Sequence, residues 1–130
     1  AGHLDPGESP LEACVREVLE ETAYAFTPTA LVGIYLSRFG KPPTPQDPEE
    51  DITYLRFAFT GVLGEHDPHR ALDDGIVRTL WMGIDEMLTC QEKHRSRLLV
   101  RCAQDHARGV RFPLDAVYTD PSVYMPGGPA

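Results

Sequence analysis

Apolar positions along this chain change period several times, and each change marks an element. Leu11, Val15, Val18 and Thr22, with Leu19 beside them, recur at helical spacing. Ser9 before Pro10, with Glu12 three residues on, is a capping box with proline at the first helical position. Together these predict a helix from Pro10 to Thr22, after which Thr27-Pro28 breaks away. The β-branched and aromatic run 30–39 (ALVGIYLSRF) predicts a strand, and the alternating run 52–63 (ITYLRFAFTGVL) a long second one. The two are expected to pair antiparallel. A third strand is expected over 76–83, a short helix over 84–88, and a long helix over 95–109 with Gly109 as its stop.

Between these lie polar segments. Residues 1–8 carry Gly2, Asp5, Pro6 and Gly7, a turn-rich loop. The proline-rich stretch 40–51 and the stretch 64–75 are too polar for a core and predict surface loops. Residues 121–130 read as a polar tail. The order is loop–α–β–β–β–α, a single domain of the α+β or mixed α/β class with a sheet held between helices. A loop leading into a functional helix normally leaves a scaffold strand, so a strand is expected before residue 1.

Composition narrows the partners. The chain has 130 residues and a formal charge of −8, which argues against nucleic acid or an anionic membrane as the main partner. No apolar run is long enough for a transmembrane helix, and no signal-like segment opens the chain. Cys14, Cys90 and Cys102 lack metal-type spacing and read as free thiols of a reducing cytosol. The five histidines, His3 in the first loop among them, also lack metal spacing.

Against that net charge, the clustering of Glu17, Glu20 and Glu21 on one region of the first helix is unexpected, because like charges one turn apart repel. A divalent cation would offset the repulsion, and oxygen-only ligands suit Mg2+ or Mn2+ rather than zinc. Such ions commonly serve phosphoryl chemistry. The alternative is a solvated acidic face that binds nothing. The preceding loop weakens that alternative, because Gly2, Glu8 and the run Arg16-Glu17-Val18 stand at set intervals before Glu20-Glu21. Arg16 is a candidate partner for Glu8.

That spacing resembles the signature of the Nudix family. Gly2, Glu8, Arg16, Glu17, Val18, Glu20 and Glu21 match it. Ala23 stands where the family has glycine, and Tyr24 where it has an aliphatic residue. The alanine suits the position if its φ is negative. The stretches AGHLDPGES, LRFAF, LDDGIVRTLWM, HRS and RFPLDA further resemble a branch of bacterial phosphatases within the family.

The resemblance implies an α/β/α sandwich with a mixed sheet and a Mg2+- or Mn2+-dependent hydrolase of phosphoanhydride bonds in the cytoplasm. It implies that Glu17, Glu20 and Glu21 hold metal, joined by the carbonyl of Gly2, while Glu8 orients Arg16. The catalytic base would be a box glutamate or an acid outside the box, for which Asp74 is the candidate and Asp73 its rival. The branch implies a small phosphorylated substrate: a nucleoside di- or triphosphate, or a pyrimidine pyrophosphate. ADP-ribose and dinucleoside polyphosphates are the competing substrates. A nucleotide-binding module without turnover and an acidic adaptor helix are the competing classes.

Outside the box, Arg56 stands within an apolar strand and must meet an anion or water. A substrate phosphate and a helix glutamate are both candidates. Tyr35 and Tyr54 would stack on a base or pack in the core. Arg95 and Ser96 begin the last helix, where Ser96 would cap it. Trp81 is expected in the core.

Overall fold

The computed structural model describes residues 2–76, 78–90 and 97–125. Its elements are α1 (Pro10–Thr22), β1 (Tyr24–Lys41), β2 (Glu50–His66), α2 (Ile84–Thr89) and α3 (Arg97–Ala107), followed by two short 3-10 turns. β1 and β2 form a long antiparallel hairpin, and helices from both ends of the chain pack on it. The fold class is α+β. The hairpin is the whole sheet among the described residues, which contain no parallel pair.

α1 starts where the capping box places it. The Ser9 hydroxyl accepts the Glu12 N–H at 3.1 Å, and the Glu12 carboxylate accepts the Ser9 N–H at 3.2 Å. The helix ends on Ala23, which takes a left-handed conformation with φ of 62°. The condition of a negative φ is not met. An alanine adopts what a glycine adopts freely, at a cost of roughly 1–2 kcal/mol. Ala23 is 2% exposed, and its carbonyl accepts the Asp67 N–H at 2.9 Å just past β2. Burial and this bond hold the strained residue in place.

Both strands are longer than predicted. β1 absorbs Pro28, which sits opposite Gly61 beside an irregularity in the ladder. Proline donates no ladder bond and is tolerated at such irregularities. A second extra residue occurs between Leu31 and Gly33. The covered positions of β1 are even-numbered up to Ala30 and odd-numbered from Gly33, and Leu31 and Val32 at the changeover are both buried. The bulge therefore inverts the phase of the strand. Phe112 bridges the other edge of β1, exchanging two backbone bonds with Leu31 at 2.9 and 2.7 Å.

The strand expected over 76–83 does not form among its described residues. A strand needs a ladder partner, and among the described residues none pairs with this segment, which meets α1 through a side chain. Thr79 Oγ1 donates to the Glu21 carbonyl at 3.0 Å. Trp81 is 60% exposed rather than core, and it meets Tyr24 edge-on at 5.6 Å. α2 and α3 fall where expected, with Gly109 at φ of 81° after α3. Arg95 and Ser96 lie outside the described residues. The tail is partly structured: Pro121–Val123 forms a 3-10 turn capped by Asp120. All three cysteines are free thiols.

Candidate active site

The acidic cluster is organised by one arginine. Arg16 Nη2 donates to Glu8 Oε1 at 2.8 Å, and its Nε reaches both Glu8 oxygens at 3.2 and 3.1 Å. Its Nη1 donates to Glu17 Oε1 at 2.7 Å and to Glu20 Oε2 at 3.0 Å. Nη2 also holds the His3 carbonyl at 2.8 Å, and Asp5 lies 3.3 Å from Nε. The guanidinium thus joins the loop to two glutamates of α1. Its fork geometry permits what a lysine could not. These bonds hold the Glu8 carboxyl below its usual range, chiefly through Arg16, and raise Arg16 further above its own.

Glycine at position 2 has a direct reason. A Cβ there would overlap the Glu17 carboxylate. The bare backbone lets the loop lie against that side chain. Gly2, Glu8, Arg16, Glu17 and Glu20 therefore form one group. Glu21 joins it through α1, and its carbonyl is the one Thr79 holds.

The donor set fits a hard divalent cation: carboxylate oxygens, no nitrogen or sulfur, and a glycine backbone beside Glu17. The carboxylates are not arranged as a finished metal site. Among the described residues no three His, Cys, Asp or Glu side chains converge on one point. Glu17 and Glu20 are instead drawn to Arg16.

The loop bearing Asp73 and Asp74 docks on the same helix. The Asp73 N–H donates to the Glu20 carbonyl at 3.0 Å, and the Asp73 carbonyl accepts the Ile76 N–H at 3.0 Å. Gly75 supplies the positive φ of 87° that this turn requires. Both aspartates are exposed.

Arg56, Tyr35 and Tyr54 form a second group on the hairpin. Tyr35 is paired with Arg56, and Tyr54 with Ser37, so all three share a face of the sheet. That face meets α3, where the Tyr35 hydroxyl donates to Asp105 Oδ2 at 2.7 Å. Arg56 is half-buried. Sequence reasoning missed Asp105. It is 6% exposed and also accepts from Arg101 and Arg108. These donors, Arg108 first, hold its carboxyl at about 2. The arginines at i−4 and i+3 were visible signals, but Tyr35 is 70 residues away and no local spacing connects it. Thr79 was missed for the same reason.

Known proteins resemble this chain over most of its length. The NUDIX domain matches residues 1–102. Phosphatase NudJ of Escherichia coli K12 is 28% identical over 117 residues, covering 90% of this chain and 70% of that protein. The protein of the same name from Shigella flexneri matches equally. The solved structure of a NUDIX hydrolase from Nitrosomonas europaea is 44% identical, superimposes with a TM-score of 0.76, and covers 92% of this chain and 75% of its own. With α1 and its loop carrying the signature, and with relatives along nearly its whole length, this chain belongs to the Nudix family of hydrolases that act on phosphoanhydride bonds.

Proposed function

We propose that this chain hydrolyses nucleoside di- or triphosphates, or related pyrimidine pyrophosphates, with Mg2+ or Mn2+ held by Glu17, Glu20, Glu21 and the Gly2 carbonyl. The observation that carries the reading is the gathering of Glu17 and Glu20 around Arg16, against a loop whose Gly2 makes room for the Glu17 carboxylate. A bound divalent ion would offset phosphate charge and lower the pKa of water at the site.

The chain's own residues have separate tasks in this reading. Glu8 fixes Arg16, and Arg16 sets the rotamers of Glu17 and Glu20. Asp74 takes the proton from the attacking water, with Asp73 as its rival. Support comes from the bond that ties their loop to the Glu20 carbonyl. Arg56 contacts a substrate phosphate; support comes from its half-buried place on an apolar strand, where an anion would compensate it. Tyr35 offers its ring rather than its hydroxyl, which Asp105 already accepts. Tyr54 lies beside Tyr35 on the same face and offers a second ring.

The test is phosphate release from a panel of nucleoside di- and triphosphates, thiamine pyrophosphate, ADP-ribose and a dinucleoside polyphosphate, each with Mg2+ and with EDTA. Mg2+-dependent release from di- or triphosphates, with ADP-ribose untouched, is the expected result. Cleavage of ADP-ribose or the dinucleoside polyphosphate alone would replace the substrate class. No turnover of any, by folded protein, would favour a binding module.

A further inference from the structure

The segment after α3 does more than end the chain. From its bridge with β1 at Phe112 it runs through the turn at Leu114–Ala116 and the Asp120-capped turn at Pro121–Val123. It then arrives at the start of α1. The Tyr124 hydroxyl donates to Glu12 Oε1. The Val123 carbonyl lies across Gly7, where an added Cβ would touch it at 3.9 Å.

We propose that Tyr124 is a positioning residue of the hydrolytic site, acting through Glu12 to hold the loop that carries Gly2 and Glu8; this rests on the hydrolase reading above. The connection is continuous. Glu12 Oε1 accepts both the Tyr124 hydroxyl and the Ser9 N–H. Ser9 follows Glu8, whose oxygens hold Arg16 and also accept the Asp5 N–H at 2.8 Å. Arg16 in turn holds the His3 carbonyl and the two metal-side glutamates. His3 follows Gly2, against Glu17. Ser9 is the residue through which the Glu12 rotamer reaches Glu8, because its N–H and its hydroxyl both bond Glu12. The Tyr124 bond fixes that rotamer from outside the helix, and it helps hold the Glu12 carboxyl below its usual range.

Tyr124→Phe removes the bond and keeps the ring. Tyr118→Phe is the control, since Tyr118 is 79% exposed on the same segment. Two readouts are needed: amide hydrogen exchange at Glu8, Ser9 and Glu12, and Mg2+ affinity by calorimetry without substrate. The expected result for Tyr124→Phe is faster exchange at those amides, with Mg2+ affinity weakened about tenfold, the scale at which supporting groups act on a metal site. Tyr118→Phe changes neither. Unchanged Mg2+ affinity in Tyr124→Phe, with or without faster exchange, overturns the proposal. Wild-type protein that binds neither Mg2+ nor Mn2+ would sink the hydrolase reading and this proposal together, so the two failures are distinguishable.

Discussion

The Glu17 carboxylate lies where a Cβ on Gly2 would sit, so any side chain at position 2 requires that carboxylate to move. The first residue of the signature is thus coupled sterically to the first helix glutamate proposed to hold the metal. Gly2→Ala should displace either the loop or the carboxylate. The expected outcome is a loss of about 10–100-fold in Mg2+ affinity with a melting temperature close to wild type. Titration calorimetry reads the first and a thermal melt the second. Wild-type affinity in Gly2→Ala would show that the close approach is unimportant to the metal.

The glutamates themselves should matter more than the glycine that accommodates one of them. Glu17→Gln and Glu21→Gln are each expected to cut turnover about 100-fold or more, beyond the range of supporting groups. Both side chains are partly covered and neither belongs to the buried core, so circular dichroism should report an intact fold. Near-normal turnover in both variants would remove these residues from the metal site.

The two aspartates of the docked loop can be told apart by rate. Asp73→Asn and Asp74→Asn leave the backbone bond to Glu20 in place, because that bond uses a main-chain N–H. If Asp74 is the base, its asparagine variant loses roughly 100- to 10,000-fold in kcat while Asp73→Asn stays within a few-fold. The reverse ranking would move the role to Asp73. Equal, small effects would send the role back to a box glutamate.

Asp105 predicts a pH dependence of stability. Its carboxyl is held at about 2 in the folded chain against a model-peptide value of 3.8. The unfolded chain therefore binds the proton more readily, and folding is favoured while the carboxylate is ionised. This contribution is complete above about pH 4 and is lost as pH falls through about 2. Asp105→Asn should melt lower than wild type at neutral pH, and the gap should close as pH falls through that window. A gap independent of pH would assign the effect to packing rather than charge.

The site was legible in sequence to the extent that it is local. The capping box, the helix from Pro10 to Thr22 and the Glu8–Arg16 pairing all rest on residues within one loop and one helix. What depends on distant parts of the chain was not legible. Asp105 meets Tyr35 across 70 residues, and Thr79 finds the end of α1 across 58. The third strand failed because an apolar run shows β-propensity but not whether a neighbour exists to pair with it. At Ala23 the residue type leaves the sign of φ open. The left-handed helix end, burial and the bond from Asp67 set it positive. Trp81 failed on the one-way character of hydrophobic burial: large apolar residues often remain exposed.

The inverted phase of β1 makes it two strands laid end to end. The half before Leu31 and the half after Val32 present side chains on independent schedules, although the backbone ladder runs through both. Substitutions can therefore accumulate in the distal half, around Tyr35 and its anchor on α3, without altering which residues the proximal half turns inward. Removing Val32 alone would merge the two schedules into one alternation in which Tyr35 keeps its covered face, and the strand would lose the bulge's local bend. For engineering, this bulge is a natural graft boundary: a distal hairpin from a relative of different substrate preference can be spliced there while the signature helix and its loop remain untouched.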